Sequence, residues 1–222
     1  MPTLKIFLGN KNYSSWSLRP WLVLKHLGAR FEEQVVPLDQ PATAEQIRKF
    51  SPSGRVPVLI DGDTVVWDSL AICEYLNERF PERNLWPKDA KVRAMARSVS
   101  AEMHSGFTAL REQLPMKFRE TFPPKPLQPN VKADISRILQ LWNDCRARFG
   151  TGGPFLFGSF TIADAMYTPV VSRFKTYAVP LEGSAAAYAE AIWSMPSVAE
   201  WLAAARAETY RMPRYEAAGE QK

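Results

Sequence analysis

The period of the apolar positions changes near residue 81. Before it, short apolar runs alternate with helical segments. Leu4 to Leu8 reads as a strand, Leu18 to Leu27 as a helix ending at Gly28, Phe31 to Pro37 as a second strand and Ala44 to Phe50 as a short helix. Ser51-Pro52-Ser53-Gly54 is a break, and Val56 to Ile60 is a third strand. Asp61-Gly62-Asp63 turns a hairpin into a fourth strand, Thr64 to Trp67. From Ser69 to Phe80, the side chains of Ile72, Cys73, Leu76 and Phe80 share one helical face.

After residue 81 only helical spacing remains. Pro81 to Pro87 is a linker by composition. Val92, Met95, Ala96, Val99, Met103, Leu110 and Leu114 form one long stripe, and Val131, Ile135, Ile138, Trp142 and Phe149 form another. The proline-rich stretch from Phe122 to Pro129 separates them, and Gly150 to Gly158 is a loop. Thr161-Ile162-Ala163-Asp164 is a capping pattern opening a third helix, which Pro169 should bend. Two short helices are expected near Ser184 to Trp193 and Val198 to Glu208, parted by Pro196, with a polar tail from Ala217 to Lys222. The predicted class is α/β plus all-α. A thioredoxin-like domain of order βαβαββα over residues 1–80 is joined by a linker, 81–87, to an all-helical domain over 88–222.

Composition narrows the function classes. Of 222 residues, 46% are hydrophobic and 23% charged, which excludes a disordered chain. The net charge of +5 is spread without a basic run, so a nucleic-acid surface is not expected, while there is room for an anionic small ligand. Cys73 and Cys145 fall at apolar helical positions, and His26 and His104 are the only histidines, so neither a disulfide framework nor a metal site is expected. Met1 to Lys5 has no basic segment leading into an apolar core, and no window has the length of a membrane span. The expected compartment is the cytoplasm.

Candidate chemistry centres on Asn12 to Trp21, a hydroxyl-rich turn between the first strand and the first helix. A helix start presents unpaired N–H groups and partial positive charge, and so favours an anion. Three further features stand in order along the chain. They are Arg55-Val56-Pro57 before the third strand, the run Asp68-Ser69-Leu70-Ala71-Ile72 with Glu74-Tyr75-Leu76, and the Thr161 to Asp164 capping pattern. Together with Ser14-Ser15-Trp16-Ser17-Leu18-Arg19, which resembles the serine-rich turn of the zeta class, they resemble the cytosolic glutathione transferases over almost the whole chain. Trp16 stands where the zeta pattern has a cysteine.

The resemblance implies glutathione as co-substrate, held as thiolate for attack on a small electrophile or a peroxide. Ser14, six residues before Pro20, takes the position of the family's catalytic serine, with Ser15 as its neighbour and second candidate. Arg55 would meet the glycyl carboxylate, and Val56 would pair main chain to main chain with the cysteinyl unit beside a cis Pro57. Asp68 and Ser69, at a helix start, would take the γ-glutamyl end. Trp16, Met103, His104, Phe107 and Arg111 are expected around the electrophile, whereas Arg173-Phe174 is given no catalytic role because its spacing from Pro169 is short of the zeta pattern. No metal, nucleic acid or membrane is implied, and a homodimer is. The alternatives are a glutathione-dependent cis-trans isomerase of the maleylacetoacetate type and, in another class, a non-catalytic transferase-like binding protein.

Overall fold

The computed structural model describes residues 3–216; the expected polar tail lies outside them. Strands β1 (Leu4–Gly9), β2 (Phe31–Val36), β3 (Val58–Asp61) and β4 (Thr64–Trp67) form one sheet in the order β2-β1-β3-β4. β1 and β2 run parallel, and β3 is antiparallel to both β1 and β4. Helices α1 (Ser15–Leu27), α2 (Thr43–Arg48) and α3 (Ser69–Arg79) complete the βαβαββα order. The expected third strand starts two residues late, at Val58. The Val56–Pro57 peptide is cis, and a proline has no N–H to give the ladder.

After a 3-10 turn at Pro81–Arg83, the described residues form seven α-helices: α4 (Ala90–Ser105), α5 (Thr108–Gln113), α6 (Pro129–Phe149), α7 (Ile162–Thr176), α8 (Gly183–Trp193), α9 (Pro196–Ala207) and α10 (Pro213–Glu216). α1 packs against both α3 and α7, and α7 also against α4, so α1 and α7 are buried over most of their length. α7 runs unbroken through Pro169. The Asp164 carboxylate accepts the Thr161 N–H at 2.7 Å, the Thr161 hydroxyl at 2.9 Å and the Leu156 N–H at 3.1 Å. Burial raises Asp164 to about 6, against those hydrogen bonds.

The long stripe expected from Val92 to Leu114 is broken. α4 stops at Ser105, and Phe107 has φ +60. A Cβ at Gly106 would come 2.8 Å from the Glu102 carbonyl oxygen, so the closing turn is restricted to glycine. Arg111 folds back over this break. Its Nε donates to the Gly106 carbonyl at 2.9 Å and its Nη2 to the Met103 carbonyl, satisfying acceptors that a helix end leaves open.

Candidate active site

The turn after β1 is fixed before α1 begins. The Tyr13 and Ser14 N–H groups donate to the Asn10 carbonyl at 3.1 and 2.8 Å. The Lys11 and Asn12 N–H groups donate to the Glu208 carboxylate at 2.6 and 3.1 Å, so the far end of the chain holds the turn. A Cβ at Gly9 would come 2.5 Å from Leu38 Cδ1 and 3.1 Å from Ser14 Cβ, so a larger residue there would have to displace the Leu38 side chain. The Gly9 N–H donates to Ser17 Oγ at 2.9 Å.

Ser14 caps α1. Its Oγ accepts the Ser17 N–H at 3.3 Å and donates to Ser17 Oγ at 2.8 Å. Ser15 Oγ accepts a long hydrogen bond, 3.5 Å, from Arg173 Nη2. Both serines are buried, and the first turn of α1 carries no acidic residue to offset its positive end.

Two cavities meet at Trp16. One, of about 320 Å³, is lined by Ser14, Ser15, Trp16, Val56, Arg111, Arg173, Met116, Met212 and Tyr215 among others. The other, of about 560 Å³, is lined by Trp16, Ser53, Arg55, Val56, Pro57, Trp67, Asp68, Ser69 and His104. Trp16, Arg55 and Val56 border both. The indole is held by cations, with the guanidinium carbons of Arg19 and Arg111 at 4.5 and 4.8 Å from ring centroids and His104 edge-on at 5.3 Å.

The larger cavity gathers Arg55, Val56, Pro57, Asp68 and Ser69. Asp68 has φ +76 and caps α3 through Oδ1, which accepts the Leu70 and Ala71 N–H groups at 2.9 and 3.2 Å. Its Oδ2 lies 3.1 Å from His104 Nε2. Ser69 Oγ accepts from Nη1 of Arg19 at 3.4 Å. Arg19 is fully buried, and its Nε and Nη2 have no hydrogen-bond partner among the described residues. Burial, with Arg111 and Arg173 nearby, pulls Arg19 well below the ordinary guanidinium value.

Of the side chains expected around the electrophile, Trp16 and Arg111 reach the serine cavity. His104 instead faces the Asp68 side, where burial lowers its pKa despite the neighbouring carboxylate. Phe107 and Met103 are buried and border neither cavity. Arg173, given no role from the sequence, stands in the serine cavity. A signal was present: an arginine within an otherwise apolar helix needs a polar destination. Tyr13, Met212 and Tyr215 were also missed. Tyr13 and Tyr215 stack at 5.9 Å, and Tyr13 donates to Glu216 at 2.5 Å, which brings α10 onto the serine turn. Burial pushes up the thiols of Cys73 and Cys145, the latter to about 12, so both are inert.

Residues 13–79 match the family profile described as glutathione S-transferase, N-terminal domain, and residues 99–204 match its C-terminal counterpart. The chain is 30% identical over 179 residues to a zeta-class glutathione S-transferase of Euphorbia esula, covering 78% of this chain and 79% of the relative. It is 35% identical over 96 residues to a probable maleylacetoacetate isomerase of Caenorhabditis elegans, an alignment spanning 43% of this chain and 44% of that one. Among solved structures, a glutathione transferase homolog from Burkholderia with bound glutathione superposes with TM-score 0.69 at 24% identity, covering 93% of this chain and all of the other.

Proposed function

The chain belongs to the glutathione S-transferase family, and from that premise we propose how its two cavities divide the reaction. Glutathione lies along the larger cavity. Its γ-glutamyl end meets Ser69 and the start of α3, its cysteinyl backbone pairs with Val56, and its glycyl carboxylate meets Arg55. The thiol then points past Val56 to Ser14 and Ser15, and the electrophile enters the smaller cavity. The thiolate attacks an electrophilic carbon, a C–S bond forms, and the leaving group departs with its electron pair. On a peroxide the thiolate attacks oxygen, an S–O bond forms, the O–O bond breaks and the alkoxide leaves; a second glutathione thiol then converts the sulfenic acid to the disulfide and water.

The observation that carries this reading is Ser14 at the cap of α1, on the cavity that shares Val56 with the glutathione side. The Ser14 hydroxyl donates to Ser17 Oγ. Turning it to sulfur exchanges a neutral hydrogen bond for a charge-assisted one, roughly twice as strong. Lowering a thiol by about two units from its ordinary 8.5 takes about 3 kcal/mol. One hydrogen bond to a charged atom contributes about 1.5–3 kcal/mol and a helix start about 0.3–1 kcal/mol; less about 0.5–1.5 kcal/mol for the bond to Ser17 that is given up, the upper end of the net range reaches that value. Ser15, bonded to Arg173, adds positive potential behind the sulfur.

Conjugation of glutathione to an electrophile panel tests this. Ser14→Ala should cut kcat/KM about 100-fold, the loss expected for one charge-assisted bond, and Ser15→Ala less. Full activity in both variants would overturn the assignment. A second reading, cis-trans isomerisation, is favoured by the alignment to the Caenorhabditis elegans relative. Isomerisation of maleylacetone without net consumption of glutathione would select it. For assembly and place we propose a cytoplasmic homodimer, on family grounds; sedimentation of a monomer would refute the assembly.

A further inference from the structure

We propose that His104 is a positioning residue for glutathione: as a neutral imidazole it holds the Asp68 carboxylate toward the γ-glutamyl ammonium, and its protonation weakens glutathione binding. This rests on the reading that glutathione lies along the larger cavity. Among the described residues lining that cavity, His104 alone comes from the helical half, and the others all precede residue 81. Its imidazole reaches from α4 to the start of α3, where Nε2 lies 3.1 Å from Asp68 Oδ2. The other carboxylate oxygen, Oδ1, is committed to the Leu70 and Ala71 N–H groups. With one oxygen pinned by the helix start, the bond from His104 sets the direction of the other. A carboxylate only accepts, so Nε2 is the ring nitrogen that bears the hydrogen. Oδ2 keeps a lone pair for an ammonium arriving in the cavity.

The second ring nitrogen explains why the neutral form is held. Nδ1 is buried and has no hydrogen-bond partner among the described residues. Protonation would place an N–H there with no acceptor, and a charge in a half-buried position. The charged groups acting on the ring are Asp68 at the start of α3, Arg19 on α1 and Arg111 on α5. Trp16 of α1 packs nearly perpendicular to it, with centroids 5.3 Å apart. Burial is the largest influence. Together with the two arginines it lowers His104 below the ordinary histidine value, against the pull of Asp68. At neutral pH the ring is therefore uncharged, and the ammonium meets Asp68 with no competing charge on the imidazole. As pH falls through the His104 value, imidazolium and ammonium compete for one carboxylate. A charge at such range moves a pKa by about one unit or more, and linkage puts the same factor, about tenfold, into the affinity for glutathione.

The test uses S-methylglutathione, which has the γ-glutamyl ammonium and no thiol to titrate. His104 and His26 are the only histidines, and His26 borders neither cavity, so it serves as an internal reference. Imidazole resonances followed by NMR against pH should show His104 titrating about one unit lower with the ligand bound, and His26 unmoved. Calorimetry should show the wild-type affinity falling about tenfold between about pH 7.5 and about pH 5, the range in which histidine titrates. In His104→Gln, whose side-chain amide can donate to Oδ2, the affinity should stay level over that range and exceed that of His104→Ala at neutral pH. Asp164, raised to about 6, is present in every variant, so a difference in slope belongs to His104. A ligand that leaves the His104 titration unmoved, a wild-type affinity level with pH, or a slope that survives in His104→Gln overturns the proposal and leaves the transferase reading intact. So does an affinity that rises at low pH, which would mean that the imidazolium meets a glutathione carboxylate. Absence of S-methylglutathione binding at any pH would instead sink the reading on which the proposal rests.

Discussion

The two cavities that meet at Trp16 are assembled in different ways. The larger is framed by two short stretches, residues 53–57 and 67–69, joined through one hairpin, with His104 and Trp16 closing it. The smaller draws side chains from residues 13–16, 38–56, 111–116, 173 and 212–215. Backbone features govern the first: a cis Val56–Pro57 peptide, the start of α3, and Asp68 at φ +76. Side chains sent from helix breaks and a buried helix govern the second. The first therefore suits an invariant peptide, and the second is free to set the chemistry of the other substrate.

The largest effect that sharpens this contrast falls on α7, the helix that carries Arg173. Asp164→Ala removes the acceptor for the Thr161 and Leu156 N–H groups. A loss of about 3 kcal/mol is expected, since each buried donor left unsatisfied costs about 1–3 kcal/mol, and thermal unfolding reads it. The same residue has a pH signature. Its folded pKa, about 6, lies above the unfolded carboxylate value, so folding takes up a proton between the two. The contribution of Asp164 to stability therefore falls as pH rises from about 4 toward 6. Asp164→Asn should lack that slope, and a slope that survives would assign it to another group.

A smaller effect tests the separation itself. Ser69→Ala removes a buried hydroxyl on the glutathione side and the acceptor for Arg19 Nη1. It should raise the KM for glutathione about tenfold, the worth of about one hydrogen bond, with kcat and the KM for the electrophile unchanged. A change in the KM for the electrophile would mean that the cavities are coupled through Arg19 and Trp16.

These differences also explain what could be read from the chain. The βαβαββα order followed from short apolar runs and the Asp61-Gly62-Asp63 turn, because strand, turn and cap signals are local. Ser14, Val56, Pro57, Asp68 and Ser69 were legible for the same reason: each belongs to a motif of adjacent residues. The break at Gly106 was not, because the apolar stripe from Val92 to Leu114 continues across it. That break fixes Arg111 against the Gly106 carbonyl, and how the arginine sits at the serine cavity was hidden with it. His104 lines the Asp68 cavity and not the serine cavity, which helical spacing does not tell for a half-buried face. Met212 and Tyr215 reach the site only through the packing of α10 on Tyr13, a contact between the two ends of the chain.

The central claim is that the start of α1 and the Ser14 hydroxyl hold glutathione as a thiolate. The direct measurement is the ultraviolet absorbance of thiolate in the glutathione-bound enzyme, titrated against pH. The account predicts that the bound thiol ionises about two units below the 8.5 of a free thiol, and that Ser14→Ala returns most of that shift. A bound thiol titrating at the free value, or a shift that survives both Ser14→Ala and Ser15→Ala, would contradict it.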